Sequence, residues 1–240
     1  MKSAWITASA VGAAGLAVGG FHYAALWPAS RIFGQSLIAG PDPAEVALTY
    51  DDGPNDPYTW QLMDVLARHQ VRGTFFAIGR YVRQKPEIVR ALHAAGHEVG
   101  CHTMTHPRLM YMGEKQIRSE IADAAAAVED AMGARVRLFR PPFGGRNPLL
   151  FRVTQQLGLT PTLWNVNTRD WKARSPGEIE ARIHAGVARN QERRRGSNIL
   201  MHDGSHRELG IDRRRTVNAT ANLLGSVAGK SLRFVTLDQW

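Results

Sequence analysis

The feature that most constrains this chain is its rhythm from Glu45 onward, where short apolar runs alternate with helix-like stretches. The runs are Val46–Tyr50, Thr74–Ile78, His97–Cys101, Val136–Phe139, Thr162–Val166, Asn198–Met201 and Leu232–Leu237. Between them lie helical patterns over Tyr58–His69, Pro86–Ala95, Glu114–Met132, Pro148–Leu157, Pro176–Asn190 and Asp212–Val227. Pro opens several of these helices at a position whose N–H needs no partner. Gly96, Gly133 and Gly158 close three of them, and Ser175 is the expected N-cap of a fourth. Apolar strands separated by helices imply a parallel sheet covered on both faces. Polar clusters follow nearly every run. A closed barrel gathers all its strand ends around one mouth, so the pattern points to an α/β barrel rather than an open sheet.

The chain ahead of this domain has a different character. Ala4 to Trp27 holds no Asp, Glu, Lys or Arg and carries aromatic residues towards both ends. Residues 1–27 are therefore expected to form a membrane-spanning helix, with a cleaved signal segment as the alternative. Residues 28–44 read as a linker and 45–240 as the folded domain. The chain is basic, with 30 Lys and Arg against 21 Asp and Glu. That favours anionic surroundings such as cell-wall polymer or membrane headgroups, and equally describes a solvated basic surface. No nucleic-acid-binding module accompanies the charge, so no nucleic-acid partner is expected. Cys101, the single cysteine, excludes an intramolecular disulfide and follows an apolar run, as a buried thiol would.

Five clusters carry candidate chemistry. The first run opens abruptly into Asp51-Asp52-Gly53-Pro54, which puts two carboxylates at a strand edge. Such a pair also serves as a simple turn cap. After the third run comes His102-Thr103-Met104-Thr105-His106, whose imidazoles can share one face of a helical turn. One carboxylate and two imidazoles make an open site for a divalent ion, leaving the second carboxylate free as a base. Arg140-Pro141-Pro142-Phe143-Gly144-Gly145 is a stiff loop whose Arg could orient a carboxylate. Asp170-Trp171 offers a ring for stacking on a sugar. Leu200-Met201-His202 brings a histidine out of an apolar strand, suited to general acid work. The other histidines, His206 among them, read as structural or exposed.

In this order the clusters resemble the motifs of the polysaccharide deacetylases of carbohydrate esterase family 4, the NodB-homology domain. Thr49-Tyr50-Asp51-Asp52-Gly53-Pro54 resembles the first motif and His102-Thr103-Met104-Thr105-His106 the second. Arg140-Pro141-Pro142-Phe143, Asp170-Trp171 and Leu200-Met201-His202 resemble the third to fifth. Tyr50 stands where Phe is usual, and Asn167 where Asp is frequent. The resemblance covers Glu45 to the C-terminus. It implies a distorted seven-stranded β/α barrel with zinc or another divalent ion on Asp52, His102 and His106. It further implies Asp51 as general base oriented by Arg140, and His202 as general acid tuned by Asp170. Trp171 and Leu200 would line the acetyl pocket, and the Phe143 N–H would support the oxyanion.

The expected activity is hydrolysis of N-acetyl groups from GlcNAc-type residues of a glycan. The alternatives are deacylation or deformylation of a lipid-linked sugar, and a catalytically silent carbohydrate-binding domain. The expected location is a membrane anchor with the catalytic domain outside the cytoplasm, or secretion if the N-terminal segment is cleaved. A ligand set of this kind also accepts cobalt, iron or manganese. The sequence leaves the glycan, the acyl group and the oligomeric state open.

Overall fold

The structure, a computed structural model, describes residues 18–226 and 231–240. Eight short parallel strands form the centre: β1 (Glu45–Gly53), β2 (Thr74–Ala77), β3 (Glu98–Cys101), β4 (Leu138–Phe139), β5 (Thr160–Pro161), β6 (Val166–Asn167), β7 (Ser197–His202) and β8 (Arg233–Phe234). Their order is β5-β4-β3-β2-β1-β7-β6, with β8 added beside the start of β1. β1, β2 and β7 are buried almost throughout, and Leu48, Tyr50, Ile199 and Met201 are almost wholly removed from water. Helices over Tyr58–Arg68, Pro86–Ala94, Glu114–Met132, Pro148–Leu157, Pro176–Glu192 and Arg214–Ser226 connect the strands. Asn147 and Ser175 cap two of them through side-chain oxygens that accept N–H bonds from Leu150 and Glu178. Gly133 ends the long alanine-rich helix in the left-handed region that a Cβ disfavours.

The expected fifth strand, Thr162–Val166, does not exist as one piece. β5 pairs with β4 and β6 pairs with β7, at opposite ends of the sheet. The residues between them cross the gap that a continuous strand would fill, and this is the distortion of the barrel. Side chains replace the missing ladder there. The Asn198 N–H donates to Asn165 Oδ1 at 2.9 Å, and Asn165 Nδ2 donates to the Gly196 carbonyl at 2.9 Å.

The expected linker helps to cover the same break. Leu37 bridges Thr162, its N–H bonded to the Pro161 carbonyl and its carbonyl accepting from Leu163. Residues 28–44 are thus packed against the barrel rather than strung ahead of it. The expected membrane-spanning segment lies mostly outside the described residues, as does Val227, the expected end of the last helix. Residues 18–26 are helical. Among the described residues no helix is long and apolar enough to cross a membrane.

Candidate active site

Because the strands are parallel, their C-terminal ends share one rim, and every candidate residue lies on or just beyond it. Adjacent strand residues ordinarily point to opposite faces. Asp51 and Asp52 escape that rule through a bulge. The register of β1 on β2 slips between Asp51 and Gly53, and Asp52 takes a positive φ of 73°. An extra residue of this kind re-aims a side chain, and both carboxylates end up in the same cleft. Gly204 packs so tightly on this bend that a Cβ there would lie 2.0 Å from the Asp52 carbonyl oxygen.

His102 and His106 do not share a helical turn as expected. Thr103 and His106 have positive φ values of 66°, which a helix does not allow. A tight loop brings them together instead, held by a 3.0 Å bond from the His106 N–H to Thr103 Oγ1. Their Nε2 atoms both approach Asp52 Oδ1, at 3.5 Å from His102 and 3.2 Å from His106. His102 Nδ1 sits 2.7 Å from the Arg140 carbonyl, which assigns it the proton and leaves Nε2 a free lone pair. Ligand atoms of these three residues lie within 4.8 Å of one another. Asp52 Oδ1 is buried with no hydrogen-bond partner. An orphaned carboxylate oxygen facing two imidazole nitrogens fits a divalent cation.

Arg140 is fully buried beneath this cluster. Its Nη1 donates to Asp51 Oδ1 and to Thr49 Oγ1, both at 2.8 Å, and its Nη2 to Asn198 Oδ1 at 3.2 Å. The guanidinium also lies 4.1 Å over the Phe76 ring. Asp51 is therefore held in one orientation. His202 is held the same way from another element. Its Nδ1 lies 2.8 Å from Asp170 Oδ1, and its N–H donates to Asp170 Oδ2 at 2.9 Å. Thr216 completes the shell of Asp170 with a 2.9 Å bond. Trp171 stands edge-on to His202 at 4.9 Å.

The electrostatics of the two imidazoles diverge. Burial pushes His102 down to about 4, although Asp51 and Asp52 pull the other way. It is neutral at pH 7, so its approach to Asp52 is a ligand geometry and not an ion pair. Burial also disfavours the charge of His202, but Asp170 outweighs it, with help from Asp52 and Asp51, and lifts it to about 9. Burial works against ionisation of Asp52 as well, yet the nearby imidazoles of His106, His206 and His202 leave its carboxyl well below the usual range.

A cleft of about 530 Å³ joins these groups, lined among others by Asp51, Asp52, His102, His106, Phe143, Trp171, Leu200 and His202. Phe143 and Trp171 are partly exposed at its rim, while Leu200 is buried. Arg140 and Asp170 lie behind the wall, in contact with Asp51 and His202.

A family model for polysaccharide deacetylase matches residues 39–162. The chain belongs to the polysaccharide deacetylase family. A chitooligosaccharide deacetylase of Sinorhizobium fredii is 40% identical over 69% of this chain and 75% of its own. A peptidoglycan-N-acetylglucosamine deacetylase of Bacillus cereus is 33% identical over 81% of this chain and 86% of its own. Among solved structures, a family 4 carbohydrate esterase from Streptomyces lividans in complex with acetate superposes with a TM-score of 0.67. It is 35% identical and covers 78% of this chain and 90% of its own.

In this polysaccharide deacetylase the cleft and the layer beneath it also contain residues that sequence reasoning passed over. His206, read as structural or exposed, stacks on His106 at 4.4 Å, and its N–H donates to Asp52 Oδ2 at 3.2 Å. Its spacing from His202 repeats that of His102 and His106, a signal available in the sequence. Arg213 lines the cleft and donates Nε to the Gly204 carbonyl at 2.7 Å. Asp203 is buried beside Gly53 and Thr59, and burial raises it to about 7 despite the Thr59 hydrogen bond. No local pattern marks it, because its surroundings come from β1 and the following helix.

Proposed function

We propose that this protein is a divalent-metal-dependent hydrolase that removes the N-acetyl group from GlcNAc-type residues of a glycan, such as peptidoglycan or a chitin-like chain. One observation carries the reading. A single cleft combines a carboxylate locked by a buried Arg, an imidazole locked by a buried carboxylate, and a three-ligand cluster for a cation.

Asp52, His102 and His106 would hold the ion, with zinc the favoured metal, and the ion supplies a Lewis acid beside the amide carbonyl. Asp51, held by Arg140, accepts the proton of the attacking water as the general base. The Phe143 N–H donates to the oxygen that becomes negative. His202, charged at neutral pH and held by Asp170, gives its proton to the departing amine nitrogen. Trp171 and Leu200 bound the space for the acetyl methyl group. Acetate and a free amino sugar leave.

The uncharged stretch from Ala4 to Trp27 supports a membrane-anchored protein with its catalytic domain outside the cytoplasm, or a secreted one after cleavage. The test is acetate release by the full chain from peptidoglycan and from N-acetylglucosamine oligomers, after chelation and again after zinc is restored. Release that chelation stops and zinc restores supports the reading. Formate release from a lipid-linked sugar would replace it with the deformylase alternative. Glycan binding without turnover in the zinc-loaded protein would replace it with the silent-domain alternative.

A further inference from the structure

Arg146 stands three residues beyond Phe143, in the loop leading to the helix Pro148–Leu157. Its side chain is 1% exposed. Among the described residues no carboxylate pairs with it. Its partners are all main-chain carbonyls of the N-terminal segment. Nε donates to Ala25 at 3.2 Å, Nη1 to Pro28 at 3.2 Å, and Nη2 to Ala24 at 3.2 Å and Trp27 at 2.7 Å. The Arg146 backbone N–H adds a further bond to the Ala25 carbonyl at 3.1 Å.

These acceptors sit at the C-terminal end of the helical residues 18–26 and in the turn that follows. The last carbonyls of a helix lack internal partners and carry its partial negative charge. Arg146 therefore caps that helix from another part of the chain. A buried cation satisfied only by neutral acceptors is tolerated while all of them are present, and becomes costly once they leave.

The same loop carries Phe143, whose backbone is left-handed at φ 57° and ψ 9°. A bulky residue holds that conformation only where its surroundings impose it. On one side the Phe143 ring meets His106 edge-on at 4.7 Å, and Arg108 lies 4.2 Å over it. On the other side the chain runs directly to Arg146. The N-terminal segment touches both flanks, because Tyr111 Oη also lies 3.3 Å from His22 Nε2.

We infer that Arg146 is a positioning residue: by clamping the carbonyls of residues 24–28 it makes the N-terminal segment part of the active site and holds the Phe143 N–H where the oxyanion forms. The inference rests on the deacetylase reading above. It implies that the segment ahead of the barrel does more than tether it, and that a fragment beginning at Asp42 loses turnover while keeping its metal ligands.

The test uses the full chain loaded with cobalt(II), whose visible absorption reports on the Asp52, His102 and His106 cluster. Arg146→Met should lower kcat about tenfold or more, since loss of one oxyanion donor costs about a hundredfold or more. KM should stay within about twofold, and the cobalt spectrum should not change. Amide hydrogen exchange over residues 143–146 should quicken. Ala25→Leu, which wedges the segment away from the clamp, should reproduce these effects, and adding it to Arg146→Met should cost little more. Arg146→Lys should recover part of kcat.

Full kcat in Arg146→Met, a changed cobalt spectrum, or additive losses in the double variant would overturn the inference. Should Arg146→Met not fold, Ala25→Leu decides alone, and full kcat with unchanged exchange sinks the idea. A wild-type chain that binds cobalt but releases no acetate removes the deacetylase reading, and the inference with it. An active wild type with an indifferent Arg146 removes the inference only.

Discussion

His102 and His202 are both buried imidazoles beside carboxylates, yet burial wins at one and charge wins at the other. His102 donates a hydrogen bond from Nδ1 to a neutral backbone carbonyl and meets Asp51 and Asp52 only at 3.9 and 3.5 Å. Another imidazole, His106, crowds it at a ring separation of 5.0 Å. Desolvation dominates, and the ring falls to about 4. His202 instead has Asp170 at hydrogen-bond distance on Nδ1 and is lifted to about 9. Asp170 can serve in this way because Thr216 and the His202 N–H fix its other oxygen. One half of the cleft keeps a lone pair ready for a cation, and the other keeps a proton ready for a leaving group. A carboxylate nearby is not enough to charge a buried histidine. Direct contact, with the carboxylate itself satisfied, is what tips the balance.

The contrast can be broken most sharply at Asp51. Asp51→Asn should lower acetate release by about a hundredfold or more while zinc affinity in a calorimetric titration stays near wild type. Loss of zinc binding in that variant would mean that Asp51 belongs to the ligand half. His102→Gln should do the reverse and abolish zinc binding first, with activity recovering only at high zinc.

Asp170→Asn should have the next largest effect. We expect kcat to fall by about tenfold or more, and the alkaline limb of the pH–rate profile to move down from the region of 9. An unmoved limb would show that Asp170 does not set the His202 proton.

Stability of the metal-free protein should show the same opposition through linkage. His202, raised in the folded state, contributes stability that is complete below its unfolded pKa near 6.5 and is lost as pH rises through about 9. The stability advantage of wild type over Asp170→Asn should therefore shrink over that window in urea titrations. His102, lowered when folded, contributes stability present above about 6.5 and lost as pH falls through about 4. Wild type should lose ground to His102→Gln as the medium is acidified. Parallel curves in either comparison would contradict the assigned protonation states.

Trp171→Ala should have the smallest effect, a few-fold rise in KM for glycan oligomers with little change in kcat. The Trp171 ring is 43% exposed at the rim and removes little surface from water in the free protein.

Much of this molecule is written locally. The alternation of apolar runs and helical stretches is a property of neighbouring residues, and it placed Asp51, His102, Arg140, Asp170 and His202 at or near the ends of strands of one parallel sheet. Ser175 and Gly133 act within one turn of their helix ends, so their roles were readable as well. Other features depend on residues far apart in the chain. The fifth strand broke because β5 and β6 answer to neighbours on opposite ends of the sheet, a choice that no short window of sequence contains. His102 and His106 had the right spacing for a helix, but positive φ values at Thr103 and His106 made a loop of it. Asp203 and Arg146 carry no mark in the sequence, and burial by distant segments gives them their character. Packing also separates His102 from His202, since the contacts fixed around each buried ring are set by everything packed against it. Spacing along the chain names the chemical groups, and packing across it decides which of them hold a proton.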